Sequence, residues 1–227
     1  MKKNTIVILA AIFVLAAGAL FASNMGFKLN YKLVAASDVL PEGGNSNSGT
    51  NSIALPYNAQ TGIINASDLF DDIGSAAVQN IQALSRATDG LTTYASGGTD
   101  YALTPGTGYF VRMKVGGTTD YIVVGSHDPS LGIGLTAASD ALPEGGTSNS
   151  GTNFFSYPYH STTVNANDLS NDIGSANVQN IQKLNRATDG LETCAPGCAT
   201  PFTLKPGEAY FVRMKVGSGL TYTPSHY

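Results

Sequence analysis

The chain has 227 residues, 42% of them hydrophobic and only 12% charged, with a formal net charge of −4. Gly, Ser, Thr and Asn are plentiful, and Lys and Arg are scattered. That excludes a nucleic-acid partner, because neutralising phosphates takes grouped basic residues, and the composition suits an exported β protein rather than a cytosolic helical enzyme.

The first 23 residues read as a processing segment. Lys2 and Lys3 make a positive start, Ile6 to Phe21 is an uncharged apolar run, and small Ala22 and Ser23 precede polar Asn24. This is the layout of a secretory signal peptide cut after Ala22 or Ser23. The alternative is a retained anchor, but a spanning helix takes about 20 apolar residues and this run is at the short end. Cleavage removes two lysines and leaves a net charge of −6. The protein is expected to be secreted or on the cell surface, with no membrane segment after cleavage.

Phe27, Leu29, Tyr31 and Leu33 then alternate with Lys28, Asn30 and Lys32. A period of two predicts a strand with one apolar face, and lysines on the other side suit an edge position. The polar stretch from Ala36 to Asn51 follows, and it returns almost unchanged from Ala138 to Asn153. Ile53 to Tyr57 reads as a short strand stopped by Pro56 and is matched by Phe154 to Tyr159.

A short helix is predicted near Leu69 and Ile73. Asn65 or Ser67 caps it, Asp68 suits the positive end of its dipole and Gly74 ends it, with Leu69 and Ile73 inward. The second copy has Asn165, Asp168, Leu169, Ile173 and Gly174. From Val78 to Ala87 the spacing of Val78, Ile81 and Leu84 suits a helix. The turn signal Thr88-Asp89-Gly90-Leu91 favours instead a strand from about Ile81 to Arg86, returning through Leu91 to Tyr94.

The core strand of each copy is the same eight letters, Tyr109 to Gly116 and Tyr210 to Gly217, each after a Pro-Gly turn at Pro105-Gly106 or Pro206-Gly207. Its alternation places Tyr109, Val111, Met113 and Val115 on a core face and Phe110, Arg112 and Lys114 on the other. Asp120 to Gly125 is a further strand, and Ser126 to Ser130 links the copies. Gly132 to Thr136 opens the second copy where Leu29 to Leu33 opens the first, and Val111 and Val212 are equivalent core positions. The expected organisation is a signal peptide (1–23), a first β-rich repeat (24–127) and a second (128–227). The expected fold is mainly β: two tandem antiparallel sandwich or barrel-like modules, each with one short α-helix.

The order Pro56-Tyr57, Asp68-Leu69, Ile73-Gly74 and Leu103-x-Pro105-Gly106-x-x-Tyr109-Phe110-Val111, repeated from Pro158 to Val212, resembles a repeat module of exported bacterial proteins. The resemblance covers nearly all of the chain after the signal peptide. Its motifs are structural and imply no activity.

Candidate chemistry is sparse. Cys194 and Cys198 are expected to pair in an oxidising compartment and close a small loop. Redox or zinc readings lack a C-x-x-C spacing and further ligands. Tyr94 and Gly98 stand at those positions in the first copy. In the polar loop Asp38, Glu42, Asn45 and Asn47 offer oxygens to calcium. However, an EF-hand needs carboxylates where this loop has Asn and Ser, so a hydrogen-bonded surface loop is expected. Gly43, Gly44 and Gly49 lack the Gly-Lys-Ser/Thr ending of a phosphate loop. His127 and His226 match one another at strand ends, His160 stands apart, and no motif marks a serine nucleophile. Asp71, Asp72 and Asp172 form an acidic helical turn, expected to be solvated rather than catalytic. The eleven tyrosines are candidate sugar platforms, without any Trp.

No enzyme activity and no cofactor are expected. The expected role is a structural subunit of a cell-surface or extracellular assembly. It would self-associate or bind other surface proteins, in a filament built by adding the strand of Phe27, Leu29, Tyr31 and Leu33 to a neighbour's sheet. The alternative is an adhesion or carbohydrate-binding protein with a glycan partner.

Overall fold

The computed structural model describes residues 27–37, 48–58, 62–85, 90–126, 128–139, 150–159, 161–185 and 190–225. The signal-peptide assignment, the calcium candidates Asp38, Glu42, Asn45 and Asn47, and all three histidines lie outside them.

The first copy runs β1 (Phe27–Leu33), β2 (Thr50–Ala54), α1 (Ala66–Ile73), β3 (Val78–Ser85), β4 (Gly90–Tyr94), β5 (Gly108–Met113) and β6 (Thr119–Gly125). The second repeats the order: β7 (Ile133–Leu135), β8 (Thr152–Ser156), α2 (Ala166–Ile173), β9 (Val178–Asn185), β10 (Gly190–Cys194), β11 (Ala209–Met214) and β12 (Leu220–Tyr222). The fold is mainly β, two similar modules each with a short helix.

Each module has a four-stranded antiparallel sheet, ordered β2-β5-β3-β4 or β8-β11-β9-β10, and a two-stranded one, β1-β6 or β7-β12. The small sheet and the helix cover one face of the large sheet. Leu29, Tyr31 and Leu33 of β1, Tyr121 and Val123 of β6, and Leu69, Phe70 and Ile73 of α1 close over Ile53, Ile81, Tyr109, Val111 and Met113. The helix is short because both ends are specified. Asp168 Oδ2 accepts from the Asn165 amide at 3.2 Å while Asn165 Oδ1 accepts from the Asn167 and Asp168 amides, a capping box. Gly74 and Gly174 end the helices with φ of 116° and 104°, which an L side chain rarely adopts.

The segment from Val78 is strand, not helix, and it starts at Val78 rather than near Ile81. Leu84 pairs across the ladder with Leu91, and Ser85 faces Gly90. A bulge between Val78 and Asn80 shifts the register against β5 and brings Val78 and Ile81, three apart, into the same core, while Leu84 packs on the cluster between the modules.

The expectation of one core face on β5 is corrected. All six residues from Gly108 to Met113 are buried, Phe110 and Arg112 included, and β11 repeats this. The reason is that the second module covers the outer face of the first sheet. Ala54, Phe110, Phe154, Ala209 and Phe211 form a separate apolar cluster between the modules. Phe154 and Phe211 stack at 4.4 Å, and Phe110 lies 4.6 Å from Phe154. Val115, expected in the core, is exposed because the strand ends at Met113.

The polar repeat flanking β2 is also structural. Asn51 Oδ1 accepts from the Val34 amide at 2.9 Å, and its Nδ2 donates to Gly49 and Val111 carbonyls. Asn153 does the same with Thr136, Gly151 and Val212. These buried amides knit three chain segments together, which leaves their polar atoms satisfied away from water.

Candidate functional site

The modules meet through matched contacts. The Ala54 amide donates to the Gly207 carbonyl at 2.7 Å, and the equivalent Ser156 amide donates to Gly106 at 2.9 Å. Each Pro-Gly turn lies under the opening strand of the other module. A side chain at Gly207 would meet the Tyr31 ring at 3.0 Å, and one at Gly106 would meet Ile133 at 2.7 Å. Both glycines have positive φ, so only glycine fits the turn and the close approach together. The repeat is therefore an internal dimer with pseudo-twofold, isologous packing.

This packing leaves two clefts related by the same pseudo-symmetry. One is about 310 Å³ and runs between β1–β2 of the first module and the β9 and Pro206 region of the second. The other is about 290 Å³ and runs between β7–β8 and the β3 and Gly106 region. Both fall at the small end of ligand pockets. Their apolar walls match: Leu33 with Leu135, Ile53 with Phe155, Leu184 with Leu84. Their polar residues do not. The first carries Lys32, Lys183, Lys205 and Glu208 where the second has Gly134, Ala83, Thr104 and Thr107.

Lys183 lines the first cleft, but its Nζ turns to residues outside that lining, 3.1 Å from Glu192 and 4.8 Å from the Phe202 ring centre. Lys205 Nζ is 3.7 Å from Glu208, a weak exposed pair. Lys32 is exposed and stands opposite Asp120 in the β1–β6 ladder. Residues so far apart in sequence carry no motif, and no sequence signal joins them.

Of the expected assembly strand, Leu29, Tyr31 and Leu33 are buried and β1 pairs with β6 of its own chain from Phe27↔Gly125 to Leu33↔Thr119. The Tyr31 hydroxyl donates to the Ala54 carbonyl. Phe27 belongs to the strand, and its side chain lies outside the described residues.

Cys194 and Cys198 form a disulfide. It stands where the first module has an aromatic pair: Phe70 meets Tyr94 edge-on at 5.5 Å, and the second copy puts Ser170 and Cys194 there. Phe202 is buried in the second core, where it stacks on Tyr210 at 6.0 Å.

The acidic helical turn has structural partners. Asp72 accepts from the Tyr121 hydroxyl at 2.8 Å, and Asp172 from Tyr222 and Ser225 at 2.5 Å each. The tyrosines are core residues rather than surface platforms, and among the described ones Tyr159 alone is exposed. Burial raises the hydroxyl pKa of Tyr31, Tyr57, Tyr121, Tyr210 and Tyr222 well above the ordinary tyrosine range. Among the described residues no group of His, Cys, Asp and Glu could hold a metal ion, and no helix is long and apolar enough to cross a membrane. Comparison with family models, curated proteins and solved structures gave no match.

Proposed function

We propose that the chain is an exported structural subunit of a cell-surface or extracellular assembly, joined by exchange of β1 between copies. One observation carries this. β1 lies at the start of the first module and has a single ladder partner, β6; its buried side chains Leu29, Tyr31 and Leu33 pack in the first module's core, and Tyr31 also reaches the second module. Tyr31 meets the Gly207 turn of the second module as well as the core of the first. A groove that accepts this strand from its own chain accepts the same strand from a neighbour with the same hydrogen bonds and anchors. Exchange of an identical element is a low-cost route to oligomers, and a head-to-tail arrangement closes into a ring or grows as a filament. Removal of the N-terminal segment on export would free β1 for that exchange.

The test is a chain starting at Val34, compared with one starting at Asn24 by electron microscopy and sedimentation. The expected result is ordered polymers from the longer chain. The shorter chain should stay folded without assembling, and should bind a peptide of residues 26–33. Polymers from both chains, or a short chain that merely unfolds as a monomer, would sink strand exchange.

A further inference from the structure

The large sheets end at β4 and β10, which have no strand on their outer side among the described residues. Which main-chain groups face outward there follows from the hydrogen bonds at the other side of the sheet. The Met113 amide donates to Gly49, whereas the Ala54 amide turns away from β5 to Gly207. The two roles alternate along an antiparallel ladder, so Phe110 and Arg112 of β5 turn their main-chain groups toward β3. Lys114 keeps to this alternation, its amide donating to Ala77 at 2.7 Å. Carried through the registers of β3 and β4, the alternation bonds Gly90, Thr92 and Tyr94 to β3. It leaves the N–H and C=O of Leu91 and Thr93 pointing outward. Leu91, Thr92 and Thr93 are all exposed, so this edge is open. On β10 the same alternation leaves Leu191 and Thr193 outward.

An apolar row runs to this edge from the contact between the modules. Leu84 packs on the cluster that holds Phe110, Phe154 and Phe211, and Leu91 is its cross-strand partner. The row starts in that interface and ends at Leu91, 47% exposed on a free strand. The two edges differ in charge. β4 has none, whereas β10 carries Glu192 at the place of Thr92, paired with Lys183 at the place of Ala83. Charge on an edge strand keeps it from pairing with other chains, and the first module lacks that protection.

We propose that β4 docks on β4 of a second copy, the two strands running antiparallel about a twofold axis at Thr92. Leu91 of one copy exchanges main-chain hydrogen bonds with Thr93 of the other, and the two four-stranded sheets become one. The outward groups of Leu91 and Thr93 are thereby paired, and the Leu91 side chain is covered beside Thr93 of the other copy. Thr92 faces Thr92, a favourable cross-strand pair. The same pairing at β10 would set Glu192 against Glu192, and like charges directly opposite are destabilising. The contact is isologous and closes after two copies. It uses a different strand from β1 exchange and does not depend on it.

The experiment is sedimentation velocity and amide hydrogen exchange of the chain starting at Asn24 over a range of concentrations. Dimers are expected. Protection of the Leu91 and Thr93 amides should rise with concentration, while that of Leu191 and Thr193 should not. T93P removes an outward N–H and leaves the β3–β4 ladder intact, since that N–H does not point at β3. Each copy loses one donor, which should weaken the dimer at least about tenfold. T92E places like charges opposite at an exposed position, so it should also weaken the dimer, with an unchanged thermal melt. Where T93P fails to fold, T92E decides. K183A/E192T gives β10 the residues of the first module and should add a second contact, seen as oligomers larger than dimers. A chain monomeric at every concentration, or protection rising equally at both edges, would overturn the proposal. So would assemblies that survive T92E and T93P; if those vanish when the chain starts at Val34, they belong to β1 exchange instead.

Discussion

Gly108 and Ala209 occupy equivalent positions in the two modules and face each other across the pseudo-twofold. A Cβ at Gly108 would stand 2.4 Å from the Ala209 methyl and 3.1 Å from the Phe154 ring. The interface therefore takes one methyl at this point, not two. G108A should overpack it and destabilise the chain by about 1–3 kcal/mol. The swap G108A/A209G keeps the total volume and should restore most of that loss. Urea unfolding of the three variants measures both effects, and a swap as unstable as G108A alone would mean that the two positions are not partners.

Much of the local structure is legible in the residues themselves. Asn65, Asp68 and Gly74 mark the helix by capping chemistry, and the alternation of Leu29, Tyr31 and Leu33 marks a strand with its buried face correctly assigned. What the residues do not show is what covers a face. Phe110 sits on the side of β5 that alternation assigns to solvent, and only the docking of the second module explains its burial. A bulky aromatic among outward residues was the available signal. The repetition of Pro105-Gly106 and Pro206-Gly207 is visible in the sequence, but the reason is tertiary: each turn lies under the other module's first strand. The tyrosines mislead for a similar cause. Phenol rings serve a core as well as a sugar site, and composition does not distinguish the two. The first cleft is lined by Lys32 of the first module and by Lys183 and Lys205 of the second, residues that no spacing in the sequence relates.

Val111 and Val212 are fully buried and make the same pairings, with Asn51 and Ile81 in one module and Asn153 and Ile181 in the other. V111D or V212D would bury an unpaired carboxylate, a loss of about 3–5 kcal/mol for either. Thermal melts of the two variants should fall by similar amounts. A marked difference would show that one module tolerates water at this position and the other does not.

The disulfide and the Phe70–Tyr94 pair are alternative solutions at one place in the repeat. In the chain-entropy model a loop this short contributes about 2 kcal/mol. Reduction should lower the stability of the second module by about that amount and leave the first unchanged. Hydrogen exchange in mild denaturant, read separately at β3 and β9 amides, checks this. Equal loss of protection in both would mean that the modules unfold only as one unit.

Tyr101 is half-buried, and its hydroxyl oxygen reaches no hydrogen-bond partner although it is shielded from water. A buried polar atom in that state costs stability, and removing it relieves the cost. Y101F should raise stability by about 1 kcal/mol. The urea midpoint tests this, and a lower midpoint would show that the hydroxyl is solvated or bonded in solution.

Alkaline unfolding should be steep. Burial raises the hydroxyl pKa of Tyr31, Tyr57, Tyr101, Tyr109, Tyr121, Tyr210 and Tyr222. Asp72 adds to the rise at Tyr121, Glu208 at Tyr210 and Asp172 at Tyr222, because a nearby carboxylate opposes a second negative charge. Below pH 10 these groups are protonated whether the chain is folded or not, so their contribution is fully present. Above pH 10 the unfolded chain releases protons that the folded chain retains. Stability then falls as pH rises toward the folded values, by up to about 1.4 kcal/mol per pH unit for each tyrosine. The urea midpoint should therefore hold from pH 7 to about 9.5 and drop sharply beyond the ordinary tyrosine pKa. Tyrosinate absorbance should rise together with loss of the β signal in circular dichroism. If the absorbance instead climbs smoothly around pH 10 while the fold persists, the hydroxyls are accessible and the buried tyrosine core is wrong.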